Sequence, residues 1–265
     1  MKLPKISIIM ASYNQGEFIE DAILSIINQD YPELEFILID GGSRDNTLGI
    51  IEKYLDKIDY FISEKDLGLY HARNKGILKA SGDYIGFLNT DDTYENGALL
   101  TIGHFFSNNF DIDLVYGVAA RISKEGDFIH YFGDFKFDKD NYFKYSPTIP
   151  DQATFFKRKC LAEVGLFDLK LKFGADTDLW KRFAKNNLKI MHIDKYIGNW
   201  RIHENTLSYK PEYKWERIKE GLIINNRYAG KYLLFRYWVT FIDILRLNLR
   251  NMKWLKKLYL LLKRK

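Results

Sequence analysis

The stretch from Lys5 to Asp40, KISIIMASYNQGEFIEDAILSIINQDYPELEFILID, decides the fold. Lys5 to Ala11 is a continuous β-branched and apolar run of the kind that fills a strand buried on both faces, and it ends at Ser12, Tyr13 and Asn14. Asn14 followed three residues on by Glu17 reads as a capping box. Phe18, Ile19, Ala22, Ile23, Ile26 and Ile27 then recur at helical spacing. The helix should end near Gln29, ahead of Tyr31-Pro32. A second apolar run, Glu35 to Ile39, stops at Asp40 before Gly41 and Gly42. Strand, helix and strand in that order imply a right-handed βαβ unit, hence an α/β protein built on a mostly parallel sheet flanked by helices.

In such sheets ligands bind outside the carboxyl ends of the strands. Tyr13 offers a flat face for a base there. Asp40 can accept from a ring N–H or a ribose hydroxyl, or alternatively open an Asx-type turn before the two glycines. Gly41-Gly42 is not a GxGxxG loop, so a dinucleotide fold has no support. A third strand, Tyr60 to Ser63, precedes a helix from Leu69 to Lys79 that carries Arg73, a residue able to pair with phosphate or simply to be solvated. A fourth run, Tyr84 to Leu88, ends abruptly in Asn89, Thr90, Asp91 and Asp92. Adjacent carboxylates repel and raise each other's pKa, which a divalent cation with oxygen ligands would compensate. The alternative is a polar turn with an Asp capping the helix expected from Glu95.

At 265 residues, with 46% apolar and 16% aromatic side chains, the chain can build a sizeable core and is not a disordered protein. The single cysteine, Cys160, excludes an internal disulfide and fits a reducing compartment. MKLPKISIIMASYN lacks the long apolar region of a signal peptide, so a cytoplasmic protein is expected. Net charge is +5, but Arg227 to Lys265 alone is +10, leaving the first 226 residues at −5. The basic character is local. It points to a partner of the tail, and no nucleic acid is expected to bind the body.

The runs SIIMASYNQGEFIEDAILSIINQ, ILIDGGSRDNT and EKDLGLYHARNKGILKASGDYIGFLNTDD, in that order and spacing, resemble the nucleotide-binding half of family 2 glycosyltransferases. Later motifs extend the resemblance to about residue 208. It implies the GT-A (Rossmann-like) fold, with a nucleotide-sugar-binding half over residues 1–110 and an acceptor-binding half over 111–226. It also implies inverting transfer from a nucleotide-sugar donor, a UDP-sugar being expected, with Mn2+ or Mg2+. Relatives of this kind build bacterial surface polysaccharides, so the expected acceptor is a lipid-linked saccharide. Ala11, Tyr13 and Asp40 fall where the family holds the base, Arg73 falls in its ARNxG element, and Asn89-Thr90-Asp91 falls on its DxD motif. Asn89 departs from the usual Asp, which leaves Asp91 as the metal ligand. His71 departs as well, standing where relatives often carry Asp. Ile149 to Phe156 resembles a Pro-His-Gln segment with Asp151 in place of His, and Gln152 is a candidate sugar contact. Trp200 to Ser208 resembles a further element in which His203 could ligate the metal or contact the pyrophosphate.

Inversion requires a base to take the acceptor hydroxyl's proton as it attacks the anomeric carbon. The family's base lies in a Glu-Asp or Asp-x-Asp element just before a helix. Phe173-Gly174-Ala175-Asp176-Thr177-Asp178 presents two candidates, of which Asp176 matches the base position. Either Asp could instead serve the helix start, where caps and the dipole favour it. Asp127 to Lys139 alternates aromatic and polar residues and suggests a hairpin or flap near the acceptor.

Three other functions compete. An enzyme that loads a sugar directly onto polyprenyl phosphate would share these motifs. A non-catalytic nucleotide or carbohydrate binder would keep Tyr13 and Asp40 without needing Asp176. A nucleotidyltransferase would carry a cation in a Gly-rich loop after the first strand, and ASYNQGEF has none.

The tail, residues 227–265, has no run of 18 apolar residues, because Arg236, Asp243, Arg246, Arg250, Lys253 and Lys257 interrupt it. On a helix those residues form one narrow polar stripe beside a wide apolar face. The pattern is that of a basic amphipathic helix lying in an anionic membrane interface, which would place the protein peripherally on the inner face of the cell membrane. The alternative is packing on the catalytic body or on a second copy in a homo-oligomer.

Overall fold

The computed structural model describes residues 2–207 and 210–251, with the backbone alone for 243–251. The first half runs β1 (Ile6–Ser12), α1 (Ile19–Ile27), β2 (Leu34–Asp40), α2 (Thr47–Ile51), β3 (Tyr60–Ser63), α3 (Leu69–Lys79) and β4 (Tyr84–Asn89). A two-residue β5 (Thr93–Tyr94) and α4 (Ala98–Asn108) lead into β6 (Leu114–Ile122), β7 (Phe128–Phe132), α5 (Lys139–Tyr145), β8 (Thr154–Lys157) and α6 (Leu161–Val164). The chain continues through α7 (Ala175–Lys185), β9 (Ile190–Arg201), α8 (Lys214–Tyr228) and α9 (Leu233–Asn251).

One sheet joins these strands in the order β3-β2-β1-β4-β8-β6-β9-β5, with β7 on β6. β3, β2, β1 and β4 are parallel, and antiparallel pairing enters at β8. Along β1 the side chains alternate: Ile6, Ile8 and Met10 pack with α1 and α4, while Ile9 and Ala11 join the opposite core with α3 and α7. Both faces are covered, which is why β1 reads as an unbroken apolar run.

Register then places the site. Ser12 pairs with Asp40, Asp40 with Ser63, and Ala11 with Asn89, so the strand ends are level along one edge. β9 runs parallel to β6 and its far end pairs with β5, Thr93 facing Asn199. The residues after β9 therefore return to the turn after β4.

Several local expectations resolve differently. Asn14 does not cap α1: it sits at φ 51°, its Oδ1 accepts the Arg44 N–H at 2.8 Å, and its own N–H donates to Ser43 Oγ at 2.8 Å. It staples the loop after β1 to the loop after β2, and α1 begins later at Ile19. Asp92 is likewise no helix cap, since β5 intervenes before α4. The aromatic segment after Asp127 does form a hairpin, β7 against β6, leaving Phe128, Ile129 and Tyr131 exposed.

The expected boundary at 226/227 falls inside α8, whose Arg227 and Tyr228 side chains bond Asp178. Among the described residues no helix is long and apolar enough to cross a membrane. The first member of the polar stripe, Arg236, turns toward the body, donating to Asn225 Oδ1 and the Tyr145 carbonyl, both at 3.0 Å. Lys253 and Lys257 lie outside the described residues, as does the rest of the tail beyond Asn251.

Candidate active site

The turn after β4 separates its two carboxylates by environment. Asp92 is completely buried, with Oδ1 accepting the Arg201 N–H and Oδ2 accepting Asn89 Nδ2, both at 3.0 Å. Burial, and then the neighbouring Asp91, push its pKa well above the carboxylate range. Asp91 keeps some exposure, and its Oδ2 lies 3.1 Å from His203 Nε2. Arg201 Nε donates to the Asp91 carbonyl at 3.0 Å, and the Phe18 ring packs against His203 with centroids 4.6 Å apart. The turn and the β9 exit are thus tied to each other, with an imidazole and a carboxylate facing one another.

Asn89 occupies the position where the resemblance leads one to expect Asp, and its two-sided amide explains why that works. Its Nδ2 donates to Asp92 while its Oδ1 accepts Arg73 at 2.8 Å. A carboxylate there would lack the Nδ2 donor that Asp92 Oδ2 accepts. Arg73 is 1% exposed, paired with Asp151, and has its guanidinium carbon 4.7 Å from the Phe87 ring centre. Its guanidinium donates to Asn89 and Asp151. Three buried polar atoms beside this pair, Arg73 Nε, Asp151 Oδ1 and Gln152 Nε2, have no hydrogen-bond partner. Buried groups left unpaired call for an explanation, and a ligand supplies one.

At the other end, Tyr13 is 57% exposed and presents an open ring beyond β1, with Ala11 buried below it. Asp40 is wholly buried: Oδ2 accepts the Gly42 N–H (3.0 Å), the Ser43 N–H (2.8 Å) and Ser63 Oγ (2.7 Å), and Oδ1 accepts Ser43 Oγ (2.5 Å). The turn-forming arrangement is the one realised. Asp66, which the sequence reading did not single out, is its neighbour: a Cβ on Gly41 would come within 2.8 Å of Asp66 Oδ2. Its local signal was the Asp-x-Gly start of α3, where its Oδ1 accepts the Gly68 N–H at 2.7 Å. Thr90 is buried in the turn after β4.

The two acids of α7 part company. Asp178 is enclosed, Oδ2 accepting Arg182 Nε at 2.9 Å and Oδ1 accepting Arg227 at 3.0 Å and the Tyr228 hydroxyl at 2.9 Å. It ties α7 to α8. Asp176 is partly exposed; its Oδ1 accepts the Thr177 N–H at 2.6 Å and the Tyr70 hydroxyl at 3.3 Å. Desolvation, and then the charge of Asp151, push its pKa up to about 6. A single network therefore links the halves of the site: Asp176 feels Asp151, Asp151 holds Arg73, and Arg73 holds Asn89 beside the Asp91 turn.

Residues 7–165 match the sequence profile described as Glycosyl transferase family 2. The chain belongs to that family. An uncharacterised glycosyltransferase of Methanocaldococcus jannaschii is 29% identical over 240 residues, covering 87% of this chain and 82% of the relative. Among solved structures, S. aureus TarS in complex with UDP-GlcNAc superimposes with a TM-score of 0.66 at 20% identity, over 89% of this chain and 73% of that one. A mannosyltransferase from Pyrobaculum calidifontis in complex with GDP-Man and Mn2+ gives 0.60 at 19%, over 84% and 62%. These likenesses give the family 2 glycosyltransferase its fold, GT-A, and its class, an enzyme that transfers a sugar. The profile ends before Asp176 and His203, so both groups rest on the geometry above.

Proposed function

We propose that this glycosyltransferase binds a nucleotide-sugar donor with Mn2+ or Mg2+ and transfers the sugar, with inversion, to a hydroxyl of a lipid-linked saccharide at the inner face of the cell membrane. The observation that carries the reading is the network through Asp151, Arg73 and Asn89 that links a partly exposed Asp176 of raised pKa to the turn bearing the Asp91–His203 pair. Complexes of the two fold neighbours with UDP-GlcNAc and with GDP-Man and Mn2+ support the donor class.

The residues fit a cation. Among the described residues no group of three or more His, Cys, Asp or Glu side chains gathers to enclose a metal. The protein would supply one carboxylate and one imidazole, and diphosphate oxygens would complete the shell. An imidazole donor favours Mn2+ over the harder Mg2+. When bound, the cation neutralises charge on the departing diphosphate. Asp176 takes the acceptor proton as the new C–O bond forms on the face opposite the breaking bond. Tyr70 orients its carboxylate, and the exposed ring of Tyr13 stacks on the base.

Thermal unfolding with UDP-GlcNAc and GDP-mannose, each with and without MnCl2, tests the donor half. At 100 times Kd a ligand stabilises the folded state by about 2.7 kcal/mol, a shift of several degrees. One donor should raise Tm with Mn2+ and fail to do so without it; no shift from either donor overturns the assignment.

The membrane half rests on α9, whose Leu234, Tyr237, Trp238 and Phe241 recur on one helical face and are exposed. That face is apolar while the tail carries +10, the combination that partitions into an anionic interface. Replacing Trp238 and Phe241 together by Glu should reduce co-sedimentation with phosphatidylglycerol vesicles by about tenfold or more, since burial of each large side chain contributes about 1.5–3 kcal/mol. High salt should weaken wild-type binding only in part. Unchanged sedimentation of the double variant would assign this face to a protein contact.

A further inference from the structure

Three successive backbone N–H groups in the loop before α7 converge on one side chain from another helix. Lys172 N–H donates to Glu220 Oε1 at 2.7 Å, and the Phe173 and Gly174 N–H groups donate to Glu220 Oε2 at 2.9 and 3.1 Å. Gly174 stands at the N-cap of α7 and has no side chain to satisfy the orphan donors of a helix start. Glu220, reaching across from α8, takes that role and sets a negative charge against the positive end of the helix.

We propose that Glu220 is a positioning residue for Asp176, so that α8 completes the catalytic centre from outside the segment that carries the family profile. The proposal rests on the reading of Asp176 as the base. Asp176 is in the first turn of α7, two residues beyond Gly174. The loop is held from both sides: Glu220 takes its N–H groups, while the Phe173 carbonyl accepts the Tyr70 hydroxyl at 3.1 Å, the same hydroxyl that reaches Asp176. Two further contacts fix the loop on α8 and its approach. The Phe173 ring lies 5.3 Å from that of Tyr213, and a Cβ on Gly174 would come within 2.8 Å of Ile224 Cδ1. With Glu220 removed, the loop keeps the Tyr70 bond, the exposed Lys172–Glu216 ion pair at 3.9 Å and its packing contacts, none of which holds its N–H groups, and the first turn of α7 can shift. A misplacement of about 1 Å at a reacting group can lower a rate by about 10²-fold.

The test compares Glu220→Ala and Glu220→Gln, alone and in an Asp176→Asn background, on the full chain. The turnover substrate is whichever of UDP-GlcNAc and GDP-mannose stabilises the protein. Glu220→Ala should lower kcat by about tenfold or more while leaving the Kd for the corresponding nucleoside diphosphate and Mn2+ within about twofold. Glu220→Gln, which keeps one acceptor oxygen, should fall between. Amide exchange of residues 172–174 should accelerate in Glu220→Ala. In the Asp176→Asn background, adding Glu220→Ala should cost less than a further twofold, because the two act through one group. Unchanged kcat in Glu220→Ala, unchanged exchange at 172–174, or full additivity in the double variant would each overturn the proposal. Full activity of Asp176→Asn alone is a separate result: it overturns the base assignment, and this proposal with it.

Discussion

Asp176→Asn is expected to lower kcat by about 10²-fold or more while leaving donor affinity close to wild type, the scale set by loss of a general base. The substitution is nearly isosteric, so Tyr70 and the Thr177 N–H can still bond the amide oxygen. What disappears is the ability to accept the acceptor's proton. In the folded protein the pKa of Asp176 is raised from the ordinary aspartate value of 3.8 to about 6. A carboxyl raised in this way favours folding while protonated, and that contribution is lost as pH climbs through 6. At pH 7.5 the neutral Asn should therefore leave Tm unchanged or higher, a loss of activity without a loss of stability.

The same titration shapes the wild-type profile. The base must be ionised, so log kcat should rise with pH and level off above an apparent pKa near 6, with Tyr70, Arg73 and Asp151 the titratable and charged groups around it. Asp178→Asn supplies the contrast. Its carboxylate is enclosed by Arg182, Arg227 and Tyr228, so that variant should lose stability first. If Asp176→Asn kept its kcat and Asp178→Asn lost turnover at full stability, the two roles would be exchanged.

The part of this site that the sequence made legible is the part built from local periodicity. β1, β2 and β4 declare themselves because strands covered on both faces read as nearly unbroken apolar runs, and their polar ends mark the ligand edge. What stayed hidden depends on distant partners. Asp91 and His203 are 112 positions apart, and only the parallel pairing of β9 with β6 and its far-end pairing with β5 bring them together. Motif position favoured Asp176 over Asp178, but the partners that enclose Asp178, Arg227 and Tyr228, arrive from α8 and leave no local mark. Asn14 carried a misleading signal: the capping box is a local rule, and the bonds to Ser43 and Arg44 outweighed it. Of the two readings of Arg73, the solvated one is ruled out by burial: Asp151 and three aromatic rings draw the guanidinium into the core, which no local pattern announces.

Asp91→Ala should abolish Mn2+-dependent donor binding, raising the apparent donor Kd by roughly 10²–10³-fold, because a cation's contact with diphosphate is worth several kcal/mol. The local fold should survive. Asp92 keeps its bonds from Arg201 and Asn89, and loss of the Asp91 side chain removes a like charge that disfavours the ionised form of Asp92. Chelation of wild type with EDTA should bring donor binding down to the level of the variant, and EDTA should have no further effect on the variant itself. His203→Ala should give the same pattern at a smaller magnitude, since it removes a neutral donor where Asp91 brings charge. Calorimetric titration of donor at several Mn2+ concentrations separates these cases. Donor affinity that is indifferent both to EDTA and to Asp91→Ala would sink the metal assignment and leave the Asp91–His203 pair as a structural latch between the turn after β4 and the end of β9.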